Sequence, residues 1–193
     1  MLEGIITSKT KVNLLVKLFL NPAMKAYLRE LAKEFDLSTN SVRTELNILT
    51  ENRILRAERD GRNVYYRANT EHPLFPEISS MVRKITGIDE LARSVIERLG
   101  NLEEVYLVGD YARGMDTGII DLILIGEINR EKLDDVIMKT ERYIERKIRP
   151  LVLTTDEFSK LEKKGRLGPV MRLWDRKTPD RRLREKGQGI EEK

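Results

Sequence analysis

The stretch that decides the fold covers residues 27–69 and reads YLRELAKEFDLSTNSVRTELNILTENRIL followed by RAERDGRNVYYRAN. In its first part, apolar residues recur every three or four positions, which predicts two helices, over about residues 24–35 and about residues 38–52. In its second part, apolar and polar residues alternate on both sides of Asp60-Gly61, which predicts a β-hairpin with a tight turn. The predicted order is therefore helix, helix, hairpin.

A further helix is predicted on the N-terminal side of this stretch. Ser8 is expected to cap it, apolar residues such as Leu15 and Phe19 recur at helical spacing, and Asn21-Pro22 ends it. Residues 1–72 therefore form one predicted domain of three helices and a hairpin. This order is that of a winged helix-turn-helix, in which the recognition helix lies in the major groove of DNA.

The recognition helix, over about residues 38–52, is predicted to have one polar side. Its apolar stripe comprises Val42, Leu46 and Leu49, and Arg53 is predicted to continue this stripe. The opposite side and the hairpin tip carry side chains of the types that contact base edges and phosphates. The alternative interpretation is the solvated polar side of an ordinary helical domain. The predicted DNA-binding residues are Ser38, Thr39, Asn40, Ser41, Arg43, Thr44, Asn47, Arg59, Arg62 and Asn63.

Residues 8–68 resemble the winged-helix domains of the ArsR/MarR-type transcription regulators of bacteria and archaea, through the two segments quoted above. The resemblance implies binding to double-stranded DNA, and the alternative is a winged helix used for protein interaction. The chain has no cysteine and one histidine, His72. Because the cysteine and histidine ligands of the metal-sensing members are absent, we expect no metal site and no cofactor.

Residues 73–100 are predicted to form two connecting helices. Two prolines, Pro73 and Pro76, mark the boundary with the first domain, and Ile78 and Met81 belong to an apolar stripe on the first connecting helix. The resemblance implies that such helices form a dimer interface, and a twofold dimer suits a palindromic operator. The alternative is that these helices pack on the second domain.

Residues 101–164 are predicted to form a small α/β domain, which makes the fold class of the whole chain α+β. Strands are expected at residues 105–108, 119–125 and 151–154, and helices over residues 130–149 and from about residue 155 to 164. From about residue 88 to residue 164 this pattern resembles the minimal nucleotidyltransferase fold. In active members of that fold, a Gly-Ser turn holds the triphosphate and carboxylates on the following strands bind magnesium ions.

The ligands that this resemblance implies are largely missing. Asp110 stands where serine is expected after Gly109, and Ile119 stands two positions before Asp121, where an acid is expected. We therefore predict no catalytic residues and no enzymatic activity, and a domain that senses a ligand, binds a partner or serves as a scaffold. The acids of the loop are interpreted as turn and capping residues, with a different cation site as the alternative. The possible ligand site comprises Gly109, Asp110, Arg113, Gly114, Asp116 and Asp121.

Charge is segregated along the chain. Residues 1–86 carry 14 basic and 10 acidic side chains, residues 87–159 carry 10 and 16, and residues 160–193 carry 12 and 6. A basic front beside an acidic middle suits a polyanion-binding module joined to a different domain. The basic tail, residues 165–193, is predicted to add a strand or dock on the second domain in its first part and to be mobile in its second. Its arginines either contact DNA or belong to a solvated terminus.

These observations predict a two-domain, homodimeric, sequence-specific DNA-binding transcription regulator, with a small molecule or a protein as a possible effector of the second domain. No apolar run is long enough to cross a bilayer and the start lacks the pattern of a signal peptide, so we expect a cytoplasmic protein without membrane contact. Two alternatives remain. One is an active magnesium-dependent nucleotidyltransferase that docks its substrate through the winged helix, and the other is an antitoxin-like protein-interaction module.

Overall fold

The computed structural model describes residues 7–99 and 101–178. These residues form two compact units. The first is the described part of Met1–Thr86 together with Arg113–Met115, and the second is the described part of Gly87–Ala112 and Asp116–Lys193. In the first unit the elements are α1 (Lys9–Leu20), β1 (Ala26–Tyr27), α2 (Leu28–Glu34), α3 (Thr39–Glu51), β2 (Leu55–Asp60), β3 (Asn63–Ala68) and α4 (Phe75–Ile85).

The elements of the second unit alternate between helices and strands. They are α5 (Ile88–Leu99), β4 (Leu102–Val108), α6 (Gly109–Ala112), β5 (Ile119–Gly126), α7 (Arg130–Ile144), β6 (Lys147–Leu153), α8 (Thr155–Lys163) and β7 (Met171–Asp175). None of the helices in the described ranges is both long and apolar enough to cross a membrane.

Helix α1 is the centre of the first unit. The hydroxyl oxygen of Ser8 accepts a hydrogen bond from the backbone N–H of Lys11 at 3.2 Å, which confirms the predicted cap. Leu14 and Leu18 are fully buried, and α1 contacts both α3 and α4. Because α1 is largely buried and contacts both of these helices, it fixes the orientations of α3 and α4.

The predicted start of α2 at about residue 24 is wrong. The helix begins at Leu28, because Ala26 and Tyr27 are extended and pair antiparallel with Tyr66 and Tyr65 of β3. The rings of Tyr27 and Tyr65 lie edge to face, with centroids 5.7 Å apart. Ala26 is fully buried, so strand pairing and burial override a helical pattern in the sequence.

The predicted hairpin is confirmed, with a turn one residue later than expected. Asp60 pairs with Asn63, so the two turn residues are Gly61 and Arg62 rather than Asp60 and Gly61. Gly61 has φ 60°, whereas Arg62 is not among the residues with positive φ. Glycine at the first turn position is the requirement of a type II′ turn, whose twist matches that of the flanking strands.

The second unit is built on a four-stranded sheet in the order β6-β5-β4-β7. Strand β4 is antiparallel to both of its neighbours, and β5 runs parallel to β6. The interior of β5 is buried on both faces: Leu122 and Leu124 alternate with Ile123 and Ile125. Phe158 of α8 packs against Ile123 and Ile125, while α5 and α7 contact each other and the strands β4 and β6.

The predicted long helix over residues 130–149 is also wrong at its C-terminal end. Helix α7 ends at Ile144, because Glu145 adopts a left-handed conformation with φ 56°. Residues 147–153 then form β6 beside β5, so the buried Ile148 belongs to a strand. Pro150 is tolerated inside β6 because this strand lies at an edge of the sheet, where a missing N–H costs no ladder hydrogen bond.

The two predicted connecting helices belong to different units. Helix α4 contacts α1, and the rings of Phe75 and Phe19 lie 5.6 Å apart, whereas α5 contacts α7. Gly87 separates them with φ 76°. The tail contributes β7, which pairs with β4. Its predicted mobile part, with Arg181, Arg182, Arg184 and Lys186, lies outside the described residues.

A buried ion pair joins α1 to α2, and its contribution to stability can be tested. Lys17 is 3% exposed and its Nζ lies 2.7 Å from Oε2 of Glu34. We expect Lys17→Ala to lower the free energy of unfolding by about 3 kcal/mol, because it leaves a largely buried carboxylate without its partner. The double variant Lys17→Met/Glu34→Leu should recover most of this loss. Urea unfolding measures the free energy of unfolding of both variants.

The exposed pair of Lys139 and Asp135 on α7 is the control, and Lys139→Ala should cost less than about 0.5 kcal/mol. If Lys17→Ala were as mild as Lys139→Ala, the buried ion pair of Lys17 and Glu34 would be contradicted.

Candidate nucleic-acid interface

Helix α3 is fixed along one side and exposed along the other. Ser38 caps it, since its hydroxyl oxygen accepts a hydrogen bond from the backbone N–H of Ser41 at 3.1 Å. Val42 and Leu46 are fully buried and Leu49 is nearly so. The residues predicted to contact DNA at the start of the helix and along its other side are all exposed. They are Ser38, Thr39, Asn40, Arg43, Thr44 and Asn47.

Contacts with α1 hold α3 on one of its flanks. Glu45 accepts a hydrogen bond from the hydroxyl of Ser8 at 2.5 Å, and Nζ of Lys11 lies 3.4 Å from the other carboxylate oxygen. The hydroxyls of Ser41 and Thr10 are 3.2 Å apart. Ser41 therefore supports the packing of α3 on α1, and its hydroxyl contributes less to the exposed surface than the sequence suggests.

Two other side chains of this region differ from their predicted arrangement. The hydroxyl of Thr44 donates to the backbone carbonyl of Asn40 at 3.0 Å, so its hydrogen is used within the helix. Arg53 does not continue the buried stripe. It lies beyond the end of α3, has φ 58° and is exposed, because the chain reverses there to enter β2.

The wing, which is the hairpin formed by β2 and β3, presents its positive charge at the tip. Arg59, Arg62 and Asn63 are all exposed. Lower in the hairpin, Arg67 pairs with Glu58, and Arg56 pairs with Glu71, which lowers the pKa of that carboxyl. Among residues 7–99 and 101–178, the cations that take part in no ion pair include Arg43, Arg59 and Arg62.

In the second unit, Asp121, the acid that the sequence resemblance matched to a magnesium ligand, is neutralised by an arginine. Asp121 of β5 lies opposite Arg149 of β6 in the strand register. The guanidinium is bidentate, with Nε 2.6 Å from Oδ1 and Nη2 2.8 Å from Oδ2. Gly109 approaches the same carboxylate: it has φ 65°, and a Cβ placed there would lie 2.7 Å from Oδ2 of Asp121.

A second acid, Asp116, fastens its loop to the start of β6. The Tyr111 hydroxyl donates to Asp116, Nη2 of Arg146 lies 2.5 Å from Oδ2, and the backbone N–H of Gly118 donates at 3.2 Å. Burial raises the pKa of Asp116, but the hydrogen bonds from Arg146 and Tyr111 outweigh it and the net pKa is lowered. Burial, together with the carboxylate, raises the pKa of Tyr111.

The structure does not bring the loop acids together as a cation site. Asp116 and Asp121 each face their own arginine, and Arg113–Met115, which include Gly114, group with the first unit. Within the described ranges no cluster of three acids and histidines is arranged to hold a metal ion. Arg146 and Arg149 are not apparent in the sequence as partners of these acids, because the predicted helix extends to residue 149. The alternation of residues 147–149 was the available signal for a strand.

A surface cavity of about 500 Å³ lies beside the C-terminal half of α7. Its charges are partly matched, since Nζ of Lys147 lies 2.8 Å from a carboxylate oxygen of Glu141. Arg142 also lines it, next to the half-exposed side chain of Met138. Its volume falls within the range of small-molecule sites in proteins.

Residues 23–99 match the family of penicillinase repressors. The matched segment begins after α1 and contains the recognition helix, the wing, α4 and α5, and none of the strands of the second unit. This match supports a DNA-binding transcription regulator. None of the curated proteins matches the sequence.

Three solved structures are similar to parts of the chain. Reduced HlyU from Vibrio cholerae is 15% identical, with a TM-score of 0.36, over 45% of this chain and 83% of that chain. The antimony-specific transcriptional repressor AntR is 26% identical, with a TM-score of 0.36, over 47% and 76%. A proposed nucleotidyltransferase from Sulfolobus solfataricus is 28% identical, with a TM-score of 0.35, over 53% and 89%. All three TM-scores lie below 0.5, so nothing about fold or function follows from them.

The arginine that holds Asp116 gives a test of the loop geometry. We expect Arg146→Ala to lower the free energy of unfolding by about 1–3 kcal/mol at neutral pH, because it strips a partly buried carboxylate of its partner. The stabilisation that accompanies the lowered pKa of Asp116 is fully present above the pKa of this carboxyl in the unfolded chain, and it is lost as the pH falls through the folded-state pKa. The loss should therefore shrink as the pH falls below about 4.

Arg142→Ala, an exposed arginine at the same end of α7, is the matched control and should change stability by less than about 0.5 kcal/mol. Equal effects of the two variants, or a loss at Arg146 that does not depend on pH, would count against the ion pair.

Proposed function

We propose that this chain is a sequence-specific DNA-binding transcription regulator that reads double-stranded DNA with α3 and the wing. The observation that carries this proposal is the exposed polar side of α3 beside a wing tip whose arginines take part in no ion pair among the described residues. Asparagine and arginine in an exposed helix are the side chains that read adenine and guanine in the major groove. The match to the penicillinase repressor family supports the same conclusion.

The N-terminal part of α3 is the part that enters the groove. Its thirteen residues span about 20 Å along the helix axis. Its diameter of about 10–12 Å with side chains fits a major groove about 12 Å wide. The first turn has no acidic residue, so the positive end of the helix dipole is available to a phosphate. Near the other end, Glu51 is exposed and repels phosphates. Asn40, Arg43 and Asn47 therefore lie at the depth where bases are read.

The regulator is proposed to act as a homodimer on a twofold-symmetric site. On α4, Val82 is fully buried, while Ile78, Met81 and Ile85 are only partly covered within one chain. A second copy that covers these side chains would bury further apolar surface. Two recognition helices related by a twofold axis would then read half-sites about one helical turn apart.

The second unit is proposed to have no nucleotidyltransferase activity and to sense a ligand or bind a partner. Magnesium would have to displace the bidentate guanidinium of Arg149 from Asp121, and two strand positions earlier the neighbour is Ile119. Asp110 also places negative charge where a triphosphate would lie. The cavity beside α7 is the proposed place for a small-molecule effector.

The two parts of the DNA interface are expected to fail in different ways. Replacing Asn40, Arg43 and Asn47 by alanine should abolish the preference for the selected operator over random DNA, at about 1–3 kcal/mol for each lost base contact. The variant Arg59→Ala/Arg62→Ala should weaken binding to all sequences and reduce the salt slope by about two. Fluorescence anisotropy across a salt series, with duplexes selected from a random pool, measures both effects.

The control is Arg130→Ala/Arg142→Ala on α7, which removes two exposed arginines of the second unit and should leave both quantities unchanged. Operator binding that is insensitive to the helix and the wing variants alike would show that DNA is not bound by this face.

The proposed lack of nucleotide transfer is tested by titrating the protein with magnesium and ATP in a calorimeter. We expect no saturable heat from the wild type, because the matching carboxylate is already paired. Saturable magnesium-dependent heat that Asp121→Asn removes would instead favour an active nucleotidyltransferase.

A further inference from the structure

The exposed side of α3 carries an unexpected apolar component at Thr44. Its hydroxyl donates to the backbone carbonyl of Asn40 at 3.0 Å, and the side chain as a whole is exposed. A hydroxyl whose hydrogen is bonded within its own helix does not donate to a base. The groups of Thr44 that remain for an outside contact are therefore its Cγ2 methyl and the acceptor lone pairs of its hydroxyl oxygen.

One helical turn further, Ile48 adds a larger apolar side chain. It is 39% exposed, in contrast to Val42, Leu46 and Leu49, which are buried. Residues four apart are neighbours on a helix surface, so Thr44 and Ile48 lie side by side. We call this pair the methyl strip. It runs along the polar side of α3, beside the amide of Asn47.

We propose that the methyl strip contacts the C5-methyl groups of thymines in the operator, so that Thr44 and Ile48 determine specificity by van der Waals contact. This inference rests on the proposed function, since it requires α3 in a major groove. The thymine methyl is the apolar group that base edges present in that groove, and side-chain methyl groups are its known kind of partner. A solvent-exposed isoleucine on the reading side of α3 then becomes buried on binding.

The neighbouring side chains point to the same base pairs. Asn40 and Asn47 have the amide that bonds to N6 and N7 of adenine, the partner base of thymine. The Cα atoms of Thr44 and Ile48 are about 6 Å apart along the helix axis, and base pairs are stacked about 3.4 Å apart. The operator is therefore expected to contain A·T pairs one or two steps apart under this part of α3.

The test removes the two methyl groups separately, one from the protein and one from the DNA. The DNA is a duplex selected from a random pool, in which single thymines are replaced by deoxyuridine, which lacks only the methyl. The protein variants are Thr44→Ser, which keeps the hydroxyl and deletes the methyl, and Thr44→Val, which keeps methyl groups and deletes the hydroxyl. Ile48→Ala extends the test to the second position.

We expect deoxyuridine at one or two positions to weaken wild-type binding by about fourfold, the effect of one buried methyl. Thr44→Ser should bind the thymine duplex about fourfold more weakly and lose its sensitivity to deoxyuridine at one position. Thr44→Val should bind and discriminate as the wild type does. Ile48→Ala should lose sensitivity at a different thymine.

The inference is overturned, with DNA binding intact, if no thymine position is sensitive, or if Thr44→Ser keeps full sensitivity to deoxyuridine. It is equally overturned if Thr44→Val loses binding while Thr44→Ser binds as the wild type does, because the hydroxyl would then be the reading group. Failure to select any preferred duplex would instead remove the proposed function, and this inference with it.

Discussion

The burial of one side of α3 is the constraint on which the candidate interface depends. Val42 and Leu46 are fully buried, and Ser8 bonds to Glu45 on the adjacent flank. Because a helix turns about 100° per residue, fixing these positions turns Asn47 and its neighbours toward solvent. The same packing brings the wing next to α3, since β2 begins four residues after the helix ends. The positions of α3 and of the wing are thus both set by one hydrophobic contact surface.

Charge is handled in opposite ways in the two units. In the second unit, Arg146 and Arg149 neutralise the acids Asp116 and Asp121. At the wing tip, the cations that face outward have no such partners among the described residues. An unpaired exposed cation gains most from a polyanion, because binding releases counterions without breaking an ion pair. This contrast supports the proposal that the first unit binds DNA.

The sequence was sufficient for the features that depend on local chemistry. The Ser8 cap, α3 and the glycine-containing turn of the wing were all predictable, since capping and turn residues act over a few positions. It failed where pairing between distant segments decides the conformation. Ala26 and Ile148 occupy strands although the periodicity around them is helical. The arginine partners of the loop acids were not predictable, because they come from a segment distant in the sequence. The hydrogen bond from the Thr44 hydroxyl to Asn40 was not predictable, because it depends on the side-chain rotamer.

The central claim is that α3 and the wing tip together form the DNA-contacting surface. The most direct measurement is the change in backbone amide NMR shifts when a selected operator duplex is added to isotope-labelled protein. We expect the largest changes on residues 38–48 and 59–63, with little change on α7. Changes concentrated on α7 or on the sheet of the second unit, with α3 unaffected, would contradict it.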